Sequence, residues 1–211
     1  MNKKIITLIM LSSLCIMAVS LYIMSTLDIE TKPKPTAEIT NIISGKTKIT
    51  EKFKLHDSDG NEFGNINLLN KFTLVYFGFA RCPDLCPYTL NKFREAASLL
   101  AVADIDQIQF VFVSIDPERD DNSSLRDFVT ESGGKNVMAV TGKESELDKF
   151  VQSLKAYYAK DDKKNDKNYY VDHTSFVYLI NPKAELITQF SQSASGMEIA
   201  NKVKKEIADY K

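Results

Sequence analysis

Two cysteines of this chain have a spacing and position that suit chemistry. Cys82 and Cys86 stand in the segment Arg-Cys-Pro-Asp-Leu-Cys-Pro, between an apolar run that predicts a strand and a pattern that predicts a helix. Free backbone N–H groups and the positive helix end stabilise thiolates at such a junction. A spacing of four brings both sulfur atoms to one side of a helical turn. The pair can therefore share a metal ion or close a disulfide, and a purely structural pair is the alternative.

His173 is a candidate third ligand because the cysteine pair is present. It directly precedes an apolar run, residues 174–180, that predicts a core strand, so its ring could lie near the first strand of a compact sheet. Asp172 beside it could orient the ring. Two thiolates and one imidazole suit soft Cu(I), and a Cys₂His set with an open position also suits Zn²⁺. The residue types alone do not decide between the two metals.

The other candidate residues have simpler interpretations. His56 falls in the predicted turn His-Asp-Ser-Asp-Gly-Asn, where we expect it to be exposed and inert. Asp116 precedes a proline after a strand, which is typical of a capping or turn residue, with support of the site as the alternative. The charged run at residues 160–168 predicts a solvated loop, or a mobile element if the protein is a copper-responsive regulator.

Strands and helices alternate along most of the chain, which predicts an α/β fold with a sheet flanked by helices. A small hairpin is expected near residues 52–63. The strands are predicted at residues 72–79, 109–115, 136–140, 174–180 and 184–190, and the helices at residues 87–102, 123–131, 143–158 and 196–210.

The N-terminal segment predicts a membrane anchor. Residues 5–27 form an uncharged stretch of 23 residues that follows Lys3 and Lys4, and about 20 apolar residues suffice to cross a bilayer as a helix. A cleaved signal peptide ending near residues 18–20 is the alternative. The positive-inside rule then indicates a single-pass protein of the bacterial inner membrane, with its C-terminal domain in the periplasm. We expect an anchor at residues 1–27, a tether at 28–44 and a folded domain at 45–211.

The composition excludes several classes of protein. The 211 residues include 27 basic and 28 acidic side chains, so the formal net charge is -1. That balance argues against a nucleic-acid binder driven by phosphate neutralisation. Three cysteines are too few for a disulfide-stapled scaffold, and Cys15 lies alone inside the apolar run as a packing residue.

Several segments together resemble the Sco/SenC family, thioredoxin-fold copper chaperones for cytochrome c oxidase assembly. The matching segments, in the family's order, are Tyr-Phe-Gly-Phe at 76–79, Cys-Pro-Asp-Leu-Cys-Pro at 82–87, Ser-Ile-Asp-Pro-Glu-Arg-Asp at 114–120, Val-Thr-Gly at 140–142 and Tyr-Val-Asp-His-Thr at 170–174. The resemblance implies a thioredoxin-like fold with a β-hairpin insertion, preceded by one transmembrane helix. It also implies copper, as Cu(I) and also Cu(II), held by Cys82, Cys86 and His173.

The resemblance further implies a copper metallochaperone that is not itself an enzyme. Its expected partners are cytochrome c oxidase subunit II, which receives the copper at its dinuclear site, and a copper donor chaperone. The alternative is a membrane-anchored thiol–disulfide oxidoreductase that reduces the cysteines of that site. Against this alternative stand the C-x-x-x-C spacing, where such enzymes use C-x-x-C, and the absence of proline from the Asp-His-Thr segment around His173.

Overall fold

The computed structural model describes Met10 and residues 12–20, 46–160 and 169–210. The chain comprises two units, Met1–Ile39 and Thr40–Lys211. In the first unit, residues 12–20 are helical and exposed, and they are labelled α1. No helix within the described residues is long and apolar enough to cross a membrane. The rest of the predicted anchor, and all of the predicted tether at 28–44, lie outside the described residues, so both stay predictions.

Three parallel strands form the centre of the second unit. They are β4 (Phe72–Gly78), β5 (Ile108–Ser114) and β6 (Val137–Thr141), with β5 in the middle. All seven residues of β4 are buried, because helices cover both faces of a parallel sheet and its strands are therefore apolar throughout. The predicted α/β architecture is confirmed.

Antiparallel strands extend the sheet on both sides of this centre. Strand β9 (Val177–Ile180) pairs with β4, and β10 (Glu185–Phe190) pairs with β9. Beyond them lies β1 (Thr47–Lys48), while β2 (Lys54–Asp57) and β3 (Glu62–Gly64) form the predicted hairpin next to β6. The order in this eight-stranded sheet is β1-β10-β9-β4-β5-β6-β2-β3.

Helices cover the sheet, and the one that follows β4 carries part of the candidate site. They are α2 (Leu85–Leu99), α3 (Val102–Ile105), α4 (Asn122–Gly133), α5 (Glu144–Ser153) and α6 (Gly196–Tyr210), and a 3-10 turn covers Asn65–Leu68. Helix α2 starts at the carboxyl end of β4 and packs against α4 and α6. Its buried face includes Leu90, Phe93 and Ala96, with the Phe93 ring 5.5 Å from the ring of Phe110 on β5. This packing fixes the N-terminal end of α2 over the sheet.

One region differs from the prediction. The predicted helix 143–158 ends early, because Lys155 adopts a left-handed conformation with φ of 54°. The chain then forms β7 (Tyr158–Lys160), which pairs antiparallel with β8 (Val171–His173) in a separate two-stranded sheet. This is the inserted hairpin, and residues 161–168 between its strands lie outside the described part of the chain. Lys160, predicted to begin a solvated loop, instead ends β7 and forms an ion pair with Glu144 at 3.0 Å.

The His173 ring lies near β4, as the sequence predicted, although His173 does not directly precede the next core strand. His173 is the last residue of β8, and residues 174–176 connect it to the shorter strand β9. His56 lies within β2, where it is half-buried and pairs with Glu62, so its prediction as an exposed turn residue is wrong.

Candidate metal centre

Three ligand atoms converge at one end of the domain. The Sγ atoms of Cys82 and Cys86 and a ring nitrogen of His173 lie within 4.8 Å of one another. Both cysteines are buried and are free thiols, while His173 is half-buried. The structure therefore brings together the three residues that the sequence singled out. No other group of three or more His, Cys, Asp or Glu residues with this proximity occurs among the described residues.

The connection from β4 to α2 positions the two sulfur atoms. A tight turn follows the strand, in which the N–H of Cys82 donates to the carbonyl of Phe79 at 3.1 Å. The helix then begins, and the N–H of Cys86 donates to Sγ of Cys82 at 3.4 Å. Free N–H groups at the start of a helix stabilise negative charge on such a sulfur.

Gly78 allows the close approach of Cys86 to the strand. A Cβ atom at Gly78 would lie 2.6 Å from Sγ of Cys86 and 2.8 Å from the ring of Phe112. Both distances are far below ordinary contact. The space that brings the sulfur against β4 therefore requires glycine at this position.

The two thiols differ in acidity. Its hydrogen bond with Cys86 and a weaker one with His173 lower the pKa of Cys82 to about 4, against the opposing effect of burial. The hydrogen bond with Cys82, together with burial, raises the pKa of Cys86 far above its ordinary value. In the metal-free protein Cys82 is therefore the more acidic of the two thiols.

The inserted hairpin carries His173 to the cysteines. His173 pairs with Tyr158 across β7 and β8. Its ring meets the rings of Tyr76 and Phe79 edge-on, each with centroids 6.0 Å apart. Its Nδ1 lies 3.2 Å from the carbonyl oxygen of Thr174. A carbonyl only accepts, so Nδ1 can donate to it, and in the tautomer that carries its proton on Nδ1 the other nitrogen, Nε2, has a lone pair free for a metal.

The orienting partner of the ring is therefore backbone and not Asp172. We expected Asp172 to orient His173, but this side chain is exposed on β8. Alternate residues of a strand point to opposite faces, so neighbours on β8 cannot both face the cysteines.

Asp116 has both of the roles that its sequence context allowed. Its carbonyl accepts from the N–H groups of Arg119 and Asp120, as expected of a turn. Its fully buried carboxylate also accepts from Nε of Arg119 and from the hydroxyl of Tyr169. Arg119 lies over the Tyr169 ring at 3.6 Å and donates to its carbonyl at 2.8 Å. These contacts attach the loop after β5 to the strand that leads to His173.

Asp120 supports the cysteine loop from the same turn. Its Oδ2 accepts from the N–H of Ala80 at 2.8 Å and from the hydroxyl of Ser114 at 2.7 Å. Burial raises the pKa of this carboxyl, and the hydrogen bond from Ser114 opposes that shift. Asp120 therefore fixes the backbone two residues before Cys82.

Several residues that support this site are not evident from the sequence. Tyr76, in the middle of β4, donates its hydroxyl to Sγ of Cys86 at 3.7 Å. Arg119 and Tyr169 are 50 residues apart in sequence and meet only in the folded chain. A tyrosine inside an otherwise apolar run was the one available signal, since a buried hydroxyl needs a partner.

The arrangement suits a soft metal ion of low coordination number. Two sulfur atoms and one imidazole nitrogen come from two separate elements, and β4, α2 and the inserted hairpin hold them before any ion arrives. Thiolate ligands favour Cu(I) and Zn²⁺ over hard cations such as Mg²⁺ or Ca²⁺. The same two sulfurs could instead join as a disulfide.

Comparison with known proteins agrees with this arrangement. A family model described as SCO1/SenC matches residues 42–208. A SCO2-like protein of Rickettsia prowazekii is 35% identical over 207 residues, which cover 98% of this chain and 99% of that protein.

Solved structures show the same fold. The structure of Arabidopsis thaliana ScoI with copper bound aligns with a TM-score of 0.65 at 32% identity, covering 75% of this chain and 98% of that one. Yeast Sco1 with copper bound aligns with a TM-score of 0.69 at 28% identity, covering 76% of this chain and 88% of that one. The thioredoxin-like α/β fold expected from the sequence is confirmed by this likeness.

Proposed function

Because the chain belongs to the SCO1/SenC family, we propose that it is a copper metallochaperone. Cys82, Cys86 and His173 bind one copper ion as cargo. The protein delivers this ion to the dinuclear copper site of cytochrome c oxidase subunit II during assembly of the respiratory complex. The convergence of the three ligand atoms within 4.8 Å carries this proposal.

The ligand set suits copper and lets the ion leave again, and the copper-bound structures of similar proteins favour copper over Zn²⁺. Two thiolates and one imidazole satisfy the low coordination number that Cu(I) accepts, and a fourth ligand lets Cu(II) bind as well. Both cysteines are buried and His173 is half-buried, so the histidine side is the more open side of the site. An acceptor or a copper donor chaperone can exchange ligands there without unfolding the cysteine loop.

The proposed location follows from the N-terminal segment. Residues 5–27 carry no charge, follow two lysines and include the helical residues 12–20. They anchor the chain once in the bacterial inner membrane, and the domain at 45–211 faces the periplasm. Nucleic acid is not among the proposed partners.

A thiol–disulfide oxidoreductase is the second candidate function. The unequal acidity of the two thiols favours it, because a thiolate at Cys82 can attack a disulfide and Cys86 can then resolve the mixed disulfide. The two functions are compatible, since the cysteines of an acceptor must be reduced before they bind copper.

Anaerobic titration with Cu(I) against a competing chelator tests the metallochaperone. The full-length protein, reduced and in detergent, is compared with His173→Ala and with the matched control His56→Ala. We expect one copper per chain in the wild type and in the control. Loss of a direct ligand should weaken binding by more than about 100-fold, beyond the cost of losing a residue that only orients a ligand.

Equal affinity in all three proteins would remove His173 from the site and contradict the proposal. The cysteine pair would then be assigned to redox chemistry. Retention of disulfide reductase activity in His173→Ala would support that assignment, because thiol exchange has no need of the imidazole.

A further inference from the structure

Tyr76 places a hydroxyl group in a strand whose residues are all buried. Strand β4 reads Phe-Thr-Leu-Val-Tyr-Phe-Gly, and Tyr76 is 0% exposed. Packing alone would be served by phenylalanine, which β4 already uses at Phe72 and Phe77. A buried hydroxyl lowers stability unless it forms a hydrogen bond. The Tyr76 hydroxyl is therefore expected to have a hydrogen-bond partner.

The partner of this hydroxyl is a sulfur atom of the candidate metal centre. The phenol donates to Sγ of Cys86 at 3.7 Å, a distance suited to an O–H···S hydrogen bond. Cys86 is fully buried, whereas Cys82 retains 7% exposure. Cys82 also receives the backbone N–H of Cys86. Tyr76 is thus the side-chain hydroxyl that donates to the more deeply buried sulfur.

Copper binding makes this donor more important. Both cysteines bind copper as thiolates, so Cys86 loses its proton and becomes a charged group inside the core. A charge without a hydrogen-bond partner is costly to bury. The Tyr76 hydroxyl already points at that sulfur and needs no rearrangement to donate to it.

We propose that Tyr76 is a positioning residue that tunes the metal centre through its hydrogen bond to Cys86. This inference rests on the proposed function of Cys82, Cys86 and His173 as copper ligands. A hydrogen bond to a metal-bound thiolate withdraws electron density from the sulfur, and hydrogen bonds to sulfur are a recognised control of redox potential. Cu(II) needs that electron density more than Cu(I), so the Tyr76 hydroxyl favours the reduced ion.

The test replaces the hydroxyl without changing the ring. Tyr76→Phe is compared with Tyr178→Phe, a matched control in β9, where Tyr178 is equally buried. The hydroxyl of Tyr178 makes no hydrogen bond to sulfur within the described part of the chain. Both are made in the full-length protein in detergent, and their urea unfolding midpoints confirm that they fold.

Two readouts require copper. The Kd values for Cu(I) and Cu(II) are measured separately, and the absorption band for sulfur-to-Cu(II) charge transfer is recorded. In Tyr76→Phe we expect the ratio of affinities to shift toward Cu(II) by about three- to tenfold, where tenfold corresponds to about 59 mV. The charge-transfer band should move to longer wavelength, because the sulfur electrons are then less stabilised. Tyr178→Phe should match the wild type in both.

A third readout needs no metal. Metal-free protein is equilibrated with glutathione, so that the two thiols of Cys82 and Cys86 are oxidised to one disulfide while one glutathione disulfide is reduced to two glutathione molecules. A thiol sulfur accepts a hydrogen bond better than a disulfide sulfur, so the hydrogen bond from Tyr76 stabilises the reduced pair. Losing this hydrogen bond in Tyr76→Phe should raise the equilibrium constant for disulfide formation by about threefold or more.

The outcomes separate this inference from the function on which it rests. The role of Tyr76 would be overturned if Tyr76→Phe matched the wild type in the affinity ratio, the absorption band and the glutathione equilibrium. It would also be overturned if Tyr178→Phe shifted these values equally. A wild type that binds no copper would overturn the metallochaperone. A glutathione shift confined to Tyr76→Phe would still support the hydrogen bond to Cys86.

Discussion

The two sulfur atoms of Cys82 and Cys86 occupy different environments although they are only one helical turn apart. Cys82 is at the start of the loop, where the hydrogen bond from Cys86 and the N–H groups of the helix end stabilise its charge. Cys86 lies against β4 in the space left by Gly78. We therefore expect Cys82 to react first with an added reagent and Cys86 to react more slowly.

This asymmetry predicts a pH profile for alkylation of the metal-free, reduced protein. Because the pKa of Cys82 is about 4, its thiolate fraction is nearly complete from pH 6 to pH 8. We expect its rate of reaction with iodoacetamide, followed by mass spectrometry of the labelled peptides, to vary by less than about twofold over that range. An ordinary thiol slows by about tenfold per pH unit below its pKa, and the urea-unfolded protein supplies that reference. A tenfold fall per unit at Cys82 in the folded protein would contradict the assignment.

The same shift affects stability with a definite sign. The folded-state pKa of Cys82 lies below its ordinary value of 9.0, so folding favours the thiolate. This contribution is complete above about pH 9 and decreases as the pH falls toward 4. Cys86 acts in the opposite direction because its pKa is raised. Its contribution is present below about pH 9 and is lost as the pH rises above that value, so the combined contribution of the pair is greatest near pH 9.

At this scale the sequence predicted the three residues that the structure brings together but not their supporting contacts. Cys82, Cys86 and His173 have side chains whose chemistry is visible from residue type and spacing. Tyr76 has a side chain that fits a buried strand equally well without any role in the site. Only the position of β4 beneath the first turn of α2 shows that its hydroxyl meets a sulfur atom.

At the scale of elements, the inserted hairpin is the part of the site that depends on distant support. Strands β7 and β8 form a separate two-stranded sheet, and a two-stranded hairpin is at best marginally stable by itself. The contacts of Tyr169 with Arg119 and Asp116 attach it to the loop after β5. This clamp should therefore determine how often His173 lies against the cysteines.

A mutant cycle tests the clamp. Tyr169→Leu removes both the ring over Arg119 and the hydroxyl that donates to Asp116. We expect Cu(I) affinity to fall by about three- to tenfold in an otherwise wild-type chain, because double-mutant coupling between contacting groups is commonly about 0.5–3 kcal/mol. In the His173→Ala background the same substitution should have no further effect.

The neighbouring tyrosine provides the control for that cycle. Tyr170 is 61% exposed, so Tyr170→Leu should leave copper affinity unchanged in both backgrounds. An equal loss from Tyr169→Leu with and without His173 would contradict positioning through the hairpin. The substitution would then act on the fold as a whole.

The hairpin also shows where the sequence was insufficient at this scale. The apolar pattern from residue 143 continues past the true end of α5 at Ser153, and the residue that ends the helix is Lys155, not the glycine that usually marks a left-handed position. Strand β7 has only three residues and borders a charged run. The long core elements were predicted correctly because their apolar runs were unambiguous.

At the scale of the whole molecule, the site is a product of the complete fold. The cysteine loop, the turn at 116–120 and the strand that carries His173 are far apart in sequence and meet only when β4, β5 and the hairpin are in place. A ligand that bridges these segments binds the folded chain and not the unfolded one. Copper should therefore stabilise the domain by an amount that grows with the logarithm of the ratio of copper concentration to Kd.

The two interpretations of the N-terminal segment, an uncleaved anchor and a cleaved signal peptide, predict different masses. An uncleaved anchor leaves a chain of 23.8 kDa, whereas cleavage near residues 18–20 removes about a tenth of that mass. We expect intact-mass measurement of the protein purified from membranes to give the full-length value. It should stay in the membrane pellet after extraction at pH 11 and dissolve in detergent, because an uncharged span of 23 residues is long enough to cross the bilayer.

Protease treatment of spheroplasts tests the orientation in the same preparation. Lys3 and Lys4 should remain cytoplasmic, so external protease should reach the domain at 45–211 without detergent, while a cytoplasmic marker protein stays intact. Full protection of the domain would reverse the topology and separate it from a periplasmic acceptor. Release at pH 11 with a shortened mass would replace the anchor with a cleaved signal peptide, and the copper-binding domain would then have to find its acceptor by diffusion.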